Sequence, residues 1–323
     1  MTTYAIPLRT RFRGLVQRQG MVWRGPAGWA EWSPFLDYSG DELVPWWRAA
    51  WEAAEQGWPA PLRDRVPVNS TVPALPPAQA HALVAAAGCR TAKVKVAERG
   101  QKLGDDVARV EAVRDALGPA GRIRVDANGG WDVDQALRAV AALAPYGLEY
   151  VEQPCARVEE LADLRRRLAR AGLDVAVAAD ESIRRAADPY RVRELEAADV
   201  AVLKVQPLGG VRACLEIAER IGLPVVVSSA LETSVGIRAG LALAAALPEL
   251  PYACGLNTVP LLTDDLAVAP LVAVGGELVV GDLAVDQDRL ERHRAGEEVD
   301  RTWQARLVQT RARAEQLDRV RHG

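Results

Sequence analysis

From residue 66 onward the chain alternates short apolar, β-branched runs with longer stretches whose apolar residues recur at helical spacing. The runs are Val66–Val72, Thr91–Val96, Arg122–Asp126, Leu148–Glu152, Val175–Asp180, Val200–Lys204, Pro224–Ser228 and Tyr252–Gly255. Their starts lie 25, 31, 26, 27, 25, 24 and 28 residues apart. Between them, Leu103–Leu117 carries Leu103, Val107, Val110, Val113 and Leu117 at helical spacing and stops at Gly118-Pro119. Val133–Leu143 follows Asp132, a good N-cap. Strands joined by helical crossovers pair in parallel, and eight such units close naturally into a (β/α)8 barrel. A doubly wound open sheet would need a glycine fingerprint after its first strand, and none is there.

The flanks of the barrel read differently. Pro7–Gln19 and Met21–Arg24 are extended, Asp41–Gln56 is a helix with Asp41 as its N-cap, and Pro59–Arg65 is a linker. Seven of the nine Trp lie between Trp23 and Trp58, so this segment has an aromatic core of its own. The polar tail Asp286–Gly323 is helical with no strand partner and is expected to pack back on the N-terminal segment. The expected organisation is residues 1–65 as the N-terminal part of an α+β capping domain, 66–285 as the barrel, and 286–323 as the returning tail.

Charge and composition narrow the function. With 40 Lys+Arg against 43 Asp+Glu, the net charge is −3, which offers nothing to nucleic acid. No apolar run reaches the roughly 18 residues that span a bilayer. The N-terminal stretch lacks the apolar region of a signal peptide, and four dispersed cysteines without a CxxC pair suit free thiols, so a cytoplasmic protein is expected. The three histidines, His81, His293 and His322, lie in a helical stretch and in the tail. Acid–base chemistry therefore falls to Lys, Asp, Glu, Tyr or Cys.

The strand ends supply such groups: Lys93 and Lys95 on the second strand, Asp126 and Asn128 on the third, Glu152 on the fourth, Asp180 and Glu181 on the fifth, Lys204 and Gln206 on the sixth. In a closed barrel these ends form one ring, the face where barrel active sites lie. Three carboxylates converging without a cation repel, and their pKa values rise. An oxygen-only set suits Mg²⁺ first and Mn²⁺ next; zinc lacks a His or Cys in register. Lys93 and Lys95 alternate by two and share a side of the strand, so Lys93 depresses Lys95. Taken singly, Asp126 or Asp180 is more simply a helix N-cap, and Lys204 an ion-paired lysine. Five in order on successive strands argue otherwise.

The sequence K-x-K, D-x-N, E-x-P, D-E-S and a final Lys resembles the enolase superfamily, and more narrowly its muconate-lactonising-enzyme subgroup. Gly28-Trp29-Ala30-Glu31 is similar to that family's G-x-G-E turn in the cap. The resemblance implies that Asp126, Glu152 and Asp180 hold Mg²⁺, that Lys95 is the base, that Lys204 stands on the opposite face of the substrate, and that Asn128 and Glu181, with Gln206 a weaker third, orient the ligands. Within the subgroup, Ser228–Gly236 and Cys254–Thr258 look like the branch that dehydrates 2-succinyl-6-hydroxy-2,4-cyclohexadiene-1-carboxylate to o-succinylbenzoate on the way to menaquinone. Ser228, Ser229 and backbone amides near Gly255 would then hold the succinyl arm, although the serines serve equally as a helix cap before Leu231–Leu247. Gly255-Leu256-Asn257 in place of D-x-D counts against dipeptide substrates. The segment Gly14–Gly25, with Arg13, Arg18 and Arg24, is the expected mobile lid, and surface exposure explains the arginines equally well. Racemisation of N-succinylamino acids shares the metal, both lysines and the succinyl group and stays open; a muconate cycloisomerase has no positive sign, and a barrel that only binds would be expected to have lost one of the five residues. Partners are a small carboxylate substrate, with no nucleic acid and no membrane; the sequence leaves the oligomeric state open.

Overall fold

The structure, a computed structural model, describes residues 1–322. Gly323, the last residue of the expected tail, lies outside the described residues. Strands β1 (Thr2–Phe12), β2 (Leu15–Arg24) and β3 (Trp29–Trp32) form an antiparallel meander. The turn at Arg13 and Gly14, with φ of 51° and 78°, makes a hairpin within Pro7–Gln19, expected to be one extended stretch. Helix α1 (Leu43–Trp51) runs on through a π turn, Glu52–Gln56, and ends at Gly57. Asp41 caps nothing; it pairs with Arg313 of the tail through two contacts of 2.6 and 2.8 Å.

The barrel strands are β4 (Arg65–Val72), β5 (Thr91–Lys95), β6 (Arg122–Asp126), β7 (Leu148–Glu152), β8 (Ala176–Ala179), β9 (Val200–Leu203), β10 (Val225–Val227) and β11 (Cys254–Asn257). They pair in parallel in the order β10-β9-β8-β7-β6-β5-β4-β11. The ring closes at the Ser228–Gly255 bridge, where Ser229 N–H donates to the Gly255 carbonyl at 3.0 Å. Gly255 permits that approach, because a Cβ there would stand 2.6 Å from Ser228 Oγ.

The crossovers are α2 (Pro77–Ala87), α3 (Leu103–Leu117), α4 (Val133–Leu143) and α5 (Val158–Arg170), then two single turns, α6 (Glu181–Arg184) and α7 (Arg191–Glu194), then α8 (Val205–Leu208) with α9 (Val211–Ile221), and α10 (Ser234–Ala246). Two units lack a full crossover helix. Pro189 interrupts the fifth crossover, and the eighth carries no full helix but an irregular segment with Pro260, Pro270 and Gly275-Gly276. That segment leads to β12 (Glu277–Val279), antiparallel to β4. Asp132 caps α4 as expected, its carboxylate accepting from Gln135 N–H at 2.7 Å.

Helices α11 (Gln287–Arg292) and α12 (Glu297–His322) return to the meander. Trp303 of α12 packs edge-on against Trp32 at 5.4 Å, and both are buried with Tyr4, Ile6 and Trp46 in a second core. The tail also gains a partner: Ala5 N–H donates to His293 O and Ala295 N–H to Thr3 O, both at 2.9 Å. Leu231, Leu261 and Leu262 from the barrel's loops enter the same core, which fixes the cap over the C-terminal strand ends. Among the described residues no helix is long and apolar enough to cross a membrane.

Candidate active site

The strand-end residues come together. Parallel register places Lys95 beside Asp126, and Asp126 beside Glu152. Asp180 follows β8 and Lys204 follows β9. Lys93, Lys95, Asp126, Glu152, Asp180 and Lys204 are all buried, none more than 9% exposed. Asn128 and Gln153, two residues after Asp126 and one after Glu152, take left-handed φ of 47° and 39°. Such conformations for non-glycine residues cost on the order of 1–3 kcal/mol each and gather where a site over-determines the chain.

Lys93 Nζ stands between two carboxylates, 2.8 and 2.9 Å from the Glu152 oxygens and 3.1 Å from Asp126 Oδ2. Lys95 Nζ donates at 2.6 Å to Asp126 Oδ2 and at 2.6 Å to Asn128 Oδ1. Lys204 Nζ donates to Asp180 Oδ2 at 2.6 Å. The other Asp180 oxygen accepts from Arg184 Nε at 2.8 Å. Arg184 is a cation the sequence reading missed, and it is buried between Asp180, Glu181 and Tyr38 of the cap.

These cations decide how each group titrates. Burial alone would raise Asp126, but Lys95 and Lys93 outweigh it and hold the carboxyl well below its usual range. Burial of Asp180 is likewise overcome by Arg184 and Lys204. Glu152 goes the other way: burial and the charge of Asp126 push it up against the pull of Lys93. Repulsion among the carboxylates therefore survives at Glu152 alone, and the chain's own cations settle the other two. Burial lowers Lys95 most, with Asp126 opposing and Lys93 and then Arg13 adding to the fall. Lys93 depresses Lys95 as its spacing suggests, but desolvation is the larger cause. Lys93 itself is raised, because Glu152 and Asp126 outweigh its burial. Lys204 is lowered by burial against the attraction of Asp180.

Among the described residues no three His, Cys, Asp or Glu side chains converge at metal-ligating distance, since ammonium and guanidinium groups occupy the carboxylates. The donor set nonetheless fits a hard divalent cation: three buried carboxylates, oxygen only, with an unrelieved like-charge conflict at Glu152.

Of the single-residue alternatives, the ion pair holds for Lys204 and the helix caps fail for Asp180 and the two serines. Asp180 stands at the N-cap of α6, but its side chain makes no cap bond. The caps of α10 belong to Thr233, not to Ser228 or Ser229. Ser229 Oγ instead pairs with Thr258 Oγ1 at 2.9 Å, and both serines border the cavity beside Lys93, Lys95 and Lys204. Asn128 steadies Asp126 through its backbone N–H, 3.1 Å from Oδ1, while its amide joins Lys95 to Glu181 Oε1. Glu181 reaches the ring through Arg184. Gln206 orients nothing there; its amide oxygen accepts from Ser33 N–H at 3.1 Å, tying barrel to cap. His81 pairs with Asp115 and His293 with Asp264, both away from the ring.

The cap closes the cavity with Phe12, Arg13 and Phe35. Phe12 lies 5.3 Å from Lys95 Nζ. The expected lid, Gly14–Gly25, is mostly β2, and only the hairpin tip at Arg13 overhangs the site. Arg18 is no lid arginine: it is 2% exposed and bound to backbone carbonyls. Arg24 lies at the far end of β2, outside the cavity lining. Thr71, at the end of β4, lines the cavity with its hydroxyl unpaired, and no pattern in the sequence marks it. A wider groove beside Trp23, Trp47 and Arg311 opens elsewhere, and none of the strand-end lysines or carboxylates borders it.

Beside the loop before α10, cap and barrel share a buried acidic pair. Glu31 accepts from Tyr4 Oη at 2.7 Å, Thr233 Oγ1 at 2.5 Å and Gly236 N–H at 3.0 Å. Glu232 accepts from Ala230 N–H at 2.6 Å, and burial followed by the charge of Glu31 raises it to about 7. Its folded pKa lies above the unfolded value, so the folded state holds the extra proton at acidic pH. Stability is fully present below about pH 4.5 and is lost as pH rises through about 7. Glu232→Gln is expected to remove this loss, on the order of 3 kcal/mol above pH 7. Urea midpoints of both proteins at pH 5 and pH 8 check it; an equal pH slope in the two refutes the assignment.

Comparison with known proteins adds a second line. Residues 77–284 match the family described as Enolase C-terminal domain-like, and residues 3–54 the family described as Enolase N-terminal domain-like. The o-succinylbenzoate synthase of Thermobifida fusca (strain YX) is 62% identical over 98% of this chain and 97% of its own length. That of Mycolicibacterium smegmatis (strain ATCC 700084 / mc(2)155) is 54% identical over 93% of this chain and 91% of its own. Among solved structures, muconate lactonizing enzyme from Pseudomonas fluorescens, complexed with muconolactone, superimposes with a TM-score of 0.77 at 22% identity, covering 91% of this chain and 97% of that one. N-succinyl Arg/Lys racemase from Bacillus cereus ATCC 14579 gives 0.76 at 19%, covering 91% and 96%. These two show the shared fold.

Proposed function

The chain belongs to the o-succinylbenzoate synthase family of the enolase superfamily, and from its strand-end chemistry we infer that it is a lyase dehydrating 2-succinyl-6-hydroxy-2,4-cyclohexadiene-1-carboxylate to o-succinylbenzoate. The observation that carries the reading is the buried Lys95, lowered in pKa and bordering a cavity shared with Lys204. Neutral Lys95 takes the proton α to the ring carboxylate. The C–H electron pair then passes into the ring carboxylate and, on collapse, expels the hydroxyl. Lys95, now an ammonium on the same face, returns its proton to that hydroxyl, so water leaves by syn elimination and the ring becomes aromatic. Lys93, held charged by Glu152 and Asp126, adds to the field that keeps Lys95 low. Lys204 faces the delocalised anion as a cation.

Asp126, Glu152 and Asp180 are the residues that would hold a divalent cation, Mg²⁺ in this reading with Mn²⁺ as a substitute. When bound, it supplies fixed positive charge where the substrate carboxylate gains electrons. Asn128 and Glu181 orient this set through Asp126 and Arg184. Ser228, Ser229 and the backbone at Gly255 face the succinyl arm. A role in menaquinone formation follows from that product. A cytoplasmic location is part of the reading, in keeping with four buried free cysteines. Two lysines bordering one cavity also permit proton exchange at a single carbon. Relatives at 52–62% identity do not favour the racemase.

The direct test is loss of substrate ultraviolet absorbance with purified protein, with and without Mg²⁺. Turnover that EDTA abolishes and Mg²⁺ restores is the expected result. A protein that binds Mg²⁺ yet leaves the absorbance unchanged would refute the dehydratase assignment.

A further inference from the structure

The loop between β10 and α10 carries Ser228 and Ser229 and lines the cavity as far as Leu231. Its shape is not one the chain adopts freely. Leu231 sits at φ 63°, a conformation that costs a non-glycine residue roughly 1–2 kcal/mol. Leu231 N–H lies 3.4 Å from Ser229 Oγ, so the orientation of this peptide is tied to that of the serine hydroxyl. Ala230 and Leu231 are both buried, which leaves their carbonyls no water to turn to.

One side chain from the other domain satisfies them. Arg18, on β2, donates from Nε to Leu231 O at 2.9 Å and from Nη2 to Ala230 O at 3.2 Å. The same guanidinium donates to Gln19 O at 2.9 Å and to Ser33 O. It lies 4.7 Å over the Phe35 ring, the aromatic wall of the cavity on the cap side. Glu232 completes the grip, holding Ala230 by its N–H while Arg18 holds it by its carbonyl. A planar fork with donors in fixed directions suits this task, and a single ammonium cannot reproduce it. Arg18 does not itself border the cavity.

We propose that Arg18 is a positioning residue for substrate specificity: by clamping the Ala230–Leu231 backbone against Phe35, it presents Ser229 to the succinyl arm of the substrate. This rests on the assignment of Ser228 and Ser229 to that arm. Binding of the arm, and not proton removal at Lys95, is what the clamp supports. Its loss therefore appears in KM.

The test compares Arg18→Met, Arg18→Lys and Ser229→Ala with the parent, each checked by thermal melting and by Mg²⁺ titration. Arg18→Met is expected to raise KM about tenfold, the effect of losing one charged hydrogen bond, with kcat within about threefold and Mg²⁺ affinity unchanged. Arg18→Lys keeps one donor and is expected to recover part of the KM; it also reads the effect if Arg18→Met fails to fold. Unchanged KM in a folded Arg18 variant overturns the proposal, as does a fall in kcat at constant KM, which would move Arg18 to the chemical step. Ser229→Ala separates the two layers. If it raises KM while the Arg18 variants do not, the clamp fails alone. If it leaves KM unchanged, the succinyl assignment fails instead.

Discussion

Lys95→Ala is expected to lower kcat by roughly 10⁴-fold, the upper range for a positioned acid–base group, and to leave Mg²⁺ binding nearly intact. The reason lies in what Lys95 does and does not touch. Its Nζ is bound to Asp126 Oδ2 and Asn128 Oδ1, and no other group bordering the cavity combines a lowered pKa with that place on β5. Lys204 is also lowered, but it follows β9 and is bound to Asp180. In the proposed mechanism it stands on the opposite face of the substrate, so it does not replace a base that returns its proton on the face from which it took it. Removing Lys95 leaves Asp126 with Lys93 at 3.1 Å, so the carboxylate stays paired and available. Single-turnover absorbance and Mg²⁺ titration on the same preparation check both halves. Retained turnover would remove Lys95 from the role of base. Lost Mg²⁺ binding would mean that its part is structural.

Much of the fold and of the strand-end ring was legible in the sequence, for a physical reason. Parallel barrel strands are buried on both faces, so they read as short apolar runs whose polar ends stand out. Lys93, Asp126 and Lys204 each follow or interrupt such a run. Register then does the rest, since parallel pairing sets Lys95, Asp126 and Glu152 side by side without further information. The helices of the fifth and eighth units were less legible, because period alone does not reveal where proline stops a helix. The hairpin tip at Arg13 was missed for a related cause: a single Gly14 between extended runs is a weak stop.

Contacts that depend on distant segments were not legible. Arg184 is one turn past Asp180 on a four-residue helix, a position that usually means exposure, and only the cap's Tyr38 shows why it is buried. Gln206 shares its strand end with Lys204, which drew it toward the ring, yet Ser33 of the cap claims it. Arg18 sits between Gln17 and Gln19, where an outward-facing arginine is the ordinary expectation. Its burial follows from four carbonyls supplied by the cap and a loop more than two hundred residues away. Glu31 fared better, since the turn carrying it resembles a family motif, but its grip on Thr233 and Gly236 needed the fold.

Glu152→Gln is expected to weaken Mg²⁺ binding by more than about 100-fold, because altering even the groups behind a metal ligand typically costs 10–100-fold. Glu152 is fully buried, at the middle position of the three carboxylates along the sheet. It is the one whose pKa burial and Asp126 push up. That upward shift gives the prediction a second arm. A divalent cation needs the ionised carboxylate, so proton and metal compete at this site. In the parent protein, Mg²⁺ affinity should therefore fall as pH is lowered into the range where Glu152 takes up a proton, above the range of an ordinary carboxylate. Glutamine cannot titrate, so the variant should bind weakly with much of that pH dependence gone. Lys93 loses its nearest partner in the variant but keeps Asp126 at 3.1 Å, and a melting curve establishes that the fold survives. Calorimetric Mg²⁺ titrations of both proteins across pH 5.5–8.5 read the two arms together. Equal affinities at pH 8.5 would remove Glu152 from the metal set. Weak binding with the parent's pH dependence retained would place the titrating carboxylate elsewhere in the ring.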